Sequence, residues 1–224
     1  MTTGSARLRL AVFDCDGTLV DSQHVIVASM HAAFAAERME APSAESVRRL
    51  VGLPLAECVA RLAPDAAPAC QARLVEGYKA SFFAARQRPD HHEPLFDGCL
   101  AALTAIEEAG WLLGIATGKA RRGLDAVLER HCLQGRFVTL QTGDRGPGKP
   151  HPAMLERALA ETGVEAADSV MIGDTSFDME MARNAGVAGI AVGWGYHTGP
   201  ELLAAGATAL VERYDELSRL LTRR

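Results

Sequence analysis

Five short apolar runs, bounded by glycine, aspartate or threonine and separated by stretches of helical pattern, constrain this chain more than any other feature. They are Leu8 to Phe13, Trp111 to Ala116, Phe137 to Leu140, Ser169 to Ile172 and Gly189 to Val192. Such runs read as buried strands. The helical patterns between them cover Cys99 to Ala109, Arg121 to His131, Pro152 to Thr162 and Phe177 to Ala185. Three of these stop at a glycine, and one opens on a proline suited to a first helical turn. Strand and helix alternating over short connections predict an α/β fold with a doubly wound parallel sheet, because right-handed crossovers force parallel pairing.

One segment breaks that rhythm. From Asp21 to Pro94 no strand is evident, and the pattern predicts helices over Gln23 to Arg38, Ala44 to Leu50, Leu55 to Leu62 and Ala67 to Arg86. Its position directly after the first strand predicts an all-helical lid over that strand's end. The expected division is a core of residues 1–20 and 95–224 with a cap of residues 21–94. A length of 224 residues suits one core with a modest insertion and leaves little room for two full domains.

Composition narrows the partners. A net charge of −5 lacks the broad basic field that a nucleic-acid groove or an anionic membrane surface needs. The five cysteines are odd in number and form no CxxC pair, which reads as reduced thiols, most of them filling core space. No apolar stretch reaches eighteen residues and Met1 to Leu10 lacks a secretory pattern, so a cytoplasmic protein is expected. Only three of the 23 basic residues are lysine (Lys79, Lys119 and Lys149), so each lysine invites a reason.

The first strand ends in Phe13-Asp14-Cys15-Asp16-Gly17-Thr18. Carboxylates at i and i+2, leaving a buried strand through a glycine turn, lie at the edge where parallel sheets bind ligands. Their mutual repulsion implies a divalent metal, a raised pKa, or both. Later strand ends add complementary groups. Thr117-Gly118-Lys119 offers a hydroxyl and backbone N–H groups for a phosphate. Lys149 can reach the same rim, and Asp174 and Asp178 supply one direct metal ligand and one supporting acid.

This ordered set resembles the haloacid dehalogenase-like (HAD) hydrolase superfamily, in the branch of phosphatases with a helical cap after the first strand, closest to its phosphoglycolate phosphatase-like members. The resemblance implies a Rossmann-like core and a Mg²⁺-dependent phosphomonoesterase acting on a small phosphorylated metabolite, as a monomer or a homodimer. It implies Asp14 as nucleophile, Asp16 as general acid and base, and Thr117, Gly118 and Lys149 as phosphate ligands. Mg²⁺ would be held by Asp14, the backbone carbonyl of Asp16 and Asp174, with Asp178 in support. Arg49, in a cap turn that relatives turn toward the leaving group, is a further candidate for substrate binding.

Other readings of these residues are weaker. Gly143 to Pro150 nearly matches a nucleotide-binding GxxxxGK[ST] loop, but Pro150 replaces the required hydroxyl. His91 and His92 are expected in a solvated hinge, Cys15 in the core, and Trp194 to His197 in a structural loop. Lys119 is expected to support the phosphate field or to face solvent. Inorganic pyrophosphatase, sugar-phosphate mutase and 2-haloacid dehalogenase chemistry share this fold. A binding protein without catalysis is disfavoured by the complete set of acids with Lys149.

Overall fold

The structure, a computed structural model, describes residues 7–88 and 91–223. Among the described residues six strands form one sheet: β1 (Arg9–Phe13), β2 (Trp111–Thr117), β3 (Phe137–Thr142), β4 (Ser169–Gly173), β5 (Ala188–Val192) and β6 (Ala209–Val211). All pair in parallel, in the order β3-β2-β1-β4-β5-β6. The chain steps outward from β1 to β3, crosses back, and continues from β4 to β6. The reversal places the C-terminal ends of β1, β2 and β4 side by side, which is where open α/β sheets hold ligands.

Ten α-helices accompany the sheet among the described residues: α1 (Gln23–Ala36), α2 (Ala44–Arg48), α3 (Leu55–Leu62), α4 (Pro68–Arg86), α5 (Cys99–Glu108), α6 (Arg121–Arg130), α7 (Ala153–Thr162), α8 (Ser176–Asn184), α9 (Gly199–Ala204) and α10 (Tyr214–Thr222). Alternation along β1 sorts its side chains between two layers. Ala11 and Phe13 join Leu103 and Ile106 of α5, Leu124 of α6 and Leu217 of α10. Leu10 and Val12 join Met154 and Leu155 of α7 and Met181 of α8. Both faces of the central strand are therefore dry, which explains why its sequence reads as a continuous apolar run.

Helices α1 to α4 have a core of their own, built around Met30, Phe34, Val59 and Leu74. Leu74 is fully buried, and truncating such a leucine to alanine costs about 2–5 kcal/mol. The chain enters and leaves this helical insert through a short paired stem: Asp21 N donates to Pro94 O at 2.9 Å, and Phe96 N to Leu19 O at 3.0 Å. Helix α1 stops two residues short of the expected Arg38, which takes a positive φ of 56°.

The C-terminal β6, α9 and α10 are additions to the sequence expectation. Strand β6 has only three residues, too few to stand out as an apolar run. Tyr214, Leu217 and Leu221 of α10 do show helical spacing, and they are buried against the sheet. Cys15, Cys58 and Cys99 are buried, as core fillers should be, and no described helix is long and apolar enough to cross a membrane.

Candidate active site

Strand β1 carries Asp14 to the sheet's edge, and the ladder with β4 extends one residue further through Asp14 N donating to Ile172 O at 2.9 Å. That register brings Asp14 beside the end of β4 and therefore beside Asp174. The carboxylates of Asp14, Asp174 and Asp178 lie within 4.8 Å of one another, all buried. Lys149 enters from the loop after β3: its Nζ is 2.8 Å from Asp14 Oδ1 and 2.6 Å from Asp178 Oδ1, with the side chain fully buried.

Each acid is oriented by its own partners. Asp174 Oδ1 accepts from the Thr18 hydroxyl at 2.8 Å, and its Oδ2 accepts from Tyr196 N at 2.9 Å. Asp178 sits in the first turn of α8, where its Oδ2 accepts from Thr175 N at 3.0 Å and from the Thr175 hydroxyl at 2.7 Å. This reciprocal cap fixes the helix start and aims Oδ1 at Lys149. Asp14 Oδ1 accepts from Cys15 N at 2.6 Å, whereas its buried Oδ2 has no partner. Asp16 accepts from the Ser22 hydroxyl at 2.5 Å. Gly17 makes this crowding possible: its φ is +83°, and a β-carbon there would come within 2.6 Å of the Tyr196 ring.

With all three carboxylates ionised, the set carries two more negative charges than the single ammonium balances, in a buried site. Burial pushes the Asp14 carboxyl up to about 7, with Lys149 opposing the rise and Asp178 and Asp16 adding to it. Burial, reinforced by Asp14 and Asp178, carries Asp174 well above the ordinary carboxylate range. Burial works against the charge on Lys149, yet the two acids it touches hold its ammonium above the usual value. A hard divalent cation fits these observations. The donors are carboxylate oxygens, one of them unpartnered, and two positive charges would balance the excess.

The loop after β2 lies directly under the helical insert. Thr117 is buried at the end of β2, and its Oγ1 accepts from Lys119 N at 3.2 Å. A β-carbon on Gly118 would come within 2.7 Å of Gly52 O, so only glycine lets the insert's turn rest on this loop. Arg49 is placed differently from the other candidates. Its guanidinium pairs with Glu201 at the start of α9, an ion pair across insert and core, and its carbonyl accepts from His197 Nε2 at 3.1 Å. A cavity of about 1290 Å³ lies between insert and core, lined by Asp16, Met30, Leu53, Tyr78, Phe82 and Lys119 among others.

Three expectations need correction. Lys119 is not solvent-facing: its Nζ lies 2.9 Å from Asp16 Oδ1, with only 8% of the side chain exposed. His91 is no solvated hinge residue, since its Nε2 meets buried Glu93 Oε2 at 2.8 Å, although His92 is exposed. The loop from Trp194 to His197 does more than connect, because Tyr196 holds Asp174 and its hydroxyl lies 3.4 Å from that of Ser22. Buried Glu93 is not among the residues that the sequence marks for the site. An acid before a proline in a polar linker carries no sequence sign that it will be buried.

The chain matches the haloacid dehalogenase-like hydrolase family over residues 11–192. It is 33% identical over 212 residues to a protein of Dickeya dadantii named "Probable phosphatase IndB", covering 93% of this chain and 91% of that one. It is 32% identical over 215 residues to a phosphoglycolate phosphatase of Xanthomonas campestris, covering 93% and 94%. Among solved structures, a hydrolase from Pseudomonas syringae superposes with a TM-score of 0.83 at 24% identity, covering 96% of both chains, a likeness that speaks for the fold alone. With that family's pattern running from the first strand to the fifth, this chain belongs to the haloacid dehalogenase-like hydrolases.

Proposed function

We propose that this enzyme is a Mg²⁺-dependent phosphomonoesterase that transfers the phosphoryl group of a small phosphorylated metabolite to Asp14 and then to water, with residues 21–94 acting as its cap. The observation that carries the reading is the buried charge excess around Asp14, whose Oδ2 has no partner. Phosphatase names among the relatives support it.

In the first step, an oxygen of Asp14 attacks phosphorus, the bond from phosphorus to the substrate's alcohol oxygen breaks, and Asp16 gives that oxygen a proton. A carboxylate needs no separate base for such an attack. In the second step, water attacks the aspartyl-phosphate, Asp16 takes back a proton, and the Asp14 carboxylate and inorganic phosphate are released. Thr117 and the backbone N–H of Gly118 would hold phosphoryl oxygens, while the Lys149 ammonium offsets their negative charge. Mg²⁺, held by Asp14, Asp174 and the Asp16 carbonyl and supported by Asp178, would supply Lewis-acid stabilisation of that charge.

The cavity beside Asp16 is large for the two-carbon alcohol of phosphoglycolate, and Arg49 is engaged with Glu201. Those two observations favour a bulkier leaving group within the same chemistry. The deciding experiment is turnover of phosphoglycolate, sugar phosphates, nucleotides and pyrophosphate with Mg²⁺, accompanied by acid quench to trap phosphorylated protein. Label retained on wild type and absent from Asp14→Asn is the expected result. Turnover that survives in Asp14→Asn, or that is indifferent to EDTA, overturns it.

A further inference from the structure

We infer that Lys119 is a positioning residue for Asp16, tying the orientation of the acid to the seating of the helical insert. The inference rests on the reading of Asp16 as the group that protonates the leaving oxygen.

Lys119 Nζ meets three groups from three separate parts of the chain: Asp16 Oδ1 at 2.9 Å, Glu93 Oε1 at 4.0 Å, and the Phe82 ring, whose centroid is 4.9 Å away. Asp16 follows β1, Glu93 lies on the linker returning from the insert, and Phe82 belongs to α4. The lysine backbone is itself fixed, with N donating to Thr117 Oγ1 at 3.2 Å and O accepting from Gly143 N at 3.1 Å. The ammonium therefore projects from a rigid loop into a junction of core, linker and insert.

The charges at this junction are matched. Glu93 is buried, with Arg86 Nε 3.2 Å and His91 Nε2 2.8 Å from its Oε2. Arg86, the last residue of α4, continues to Gly123 O at 3.0 Å in the first turn of α6. Burying Asp16 and Glu93 so close together would be unfavourable without cations between them. Lysine suits the position because a compact ammonium can serve two acids and an aromatic face at once.

The consequence for Asp16 is directional. Its Oδ1 receives both the Ser22 hydroxyl and the Lys119 ammonium, which sets the side-chain rotamer and leaves Oδ2 for the leaving oxygen. Phe82 shields the ammonium from water only while α4 is seated. Lifting the insert would hydrate Lys119, weaken its hold on Asp16 and leave the acid misaligned.

A leaving-group comparison tests the inference. A phenoxide carrying a nitro group departs without a proton, whereas unsubstituted phenoxide is more basic and depends on the acid, and the similar rings make binding effects largely cancel. Lys119→Met keeps the apolar stem and removes the charge. The ratio of kcat/KM for 4-nitrophenyl phosphate to that for phenyl phosphate should rise about 30-fold in this variant, in the same direction as in Asp16→Asn. An unchanged ratio in Lys119→Met beside a raised one in Asp16→Asn overturns the role of Lys119 alone. An unchanged ratio in Asp16→Asn overturns the acid assignment and this inference with it. Should Lys119→Met not fold, Phe82→Leu replaces it: the ratio should rise about 5-fold, and no rise again overturns the coupling.

Discussion

Lys149 and Asp178 form a fully buried ion pair, Nζ to Oδ1 at 2.6 Å, inside the same cluster that holds Asp14. The capping box of α8 makes this pairing rigid, since the acid's other oxygen is tied to Thr175. Removing the lysine would leave three buried carboxylates facing a phosphate with no fixed cation. Lys149→Met should therefore lower kcat by about 10³-fold, measured as phosphate release with folding checked by circular dichroism. A loss under tenfold would remove Lys149 from the reaction.

Asp178→Asn retains the shape of the cap and abolishes the charge beneath Lys149. Partners that orient a reacting or metal-binding group typically cost 10- to 100-fold when changed, so kcat should fall by about that factor. Retention of full activity would mean that Asp14 alone positions the lysine.

The charge excess around Asp14 also predicts a stability effect of metal. With Mg²⁺ at about 100 times its Kd, linkage gives about 2.7 kcal/mol, or a rise of about 5 to 10 °C in Tm for a chain of this size. Calorimetry with and without Mg²⁺ would read it, and Asp14→Asn should shrink the shift. No shift in the wild-type protein would contradict a cation in this cluster.

The ion pair between Arg49 and Glu201 predicts a pH signature. Arg49, with help from the Thr198 N–H and hydroxyl, holds the Glu201 carboxyl down to about 2, against an ordinary 4.5. A depressed pKa stabilises the fold fully above the unfolded value and loses that contribution as pH falls through the folded one. The Tm difference between wild type and Glu201→Gln should be constant above about pH 5 and should close as the solution is acidified toward pH 2. A difference that is insensitive to acid would show the pair to be unformed in solution.

Gly118→Ala probes the contact between loop and insert. Its β-carbon would press on Gly52 O, displacing the insert's turn while leaving the sheet unchanged. KM should rise about tenfold, as a loss of about 1.4 kcal/mol in substrate binding implies. An unaltered KM would show that the turn yields freely.

Much of the site could be read from the sequence because its chemistry is concentrated at strand ends. Asp14, Asp16, Thr117 and Asp174 each follow an apolar run, Lys149 lies on the loop after another, and parallel pairing gathers such ends on one edge. Lys119, Glu93 and Tyr196 were less legible. Their roles come from contacts across long sequence separations: Lys119 to Asp16, Arg86 to Glu93 across the linker, and Tyr196 to Asp174. No local periodicity encodes such pairings. The insert's four helices were legible from apolar spacing, while Arg49's commitment to Glu201 depends on how insert and core meet.

The carbonyl of Thr18 accepts two hydrogen bonds, from Trp194 Nε1 at 3.1 Å and from the Tyr214 hydroxyl at 2.7 Å. A carbonyl oxygen has two lone pairs, so both are taken and the peptide plane joining Thr18 to Leu19 is pinned. Leu19 N and Val20 N are also held, both by Cys15 O. Any swing of the insert must then pivot beyond residue 20, within the stem. Such a swing is in this way mechanically isolated from the backbone of the turn carrying Asp14 and Asp16, and it reaches the Asp16 carboxylate only through the side chains that hold it.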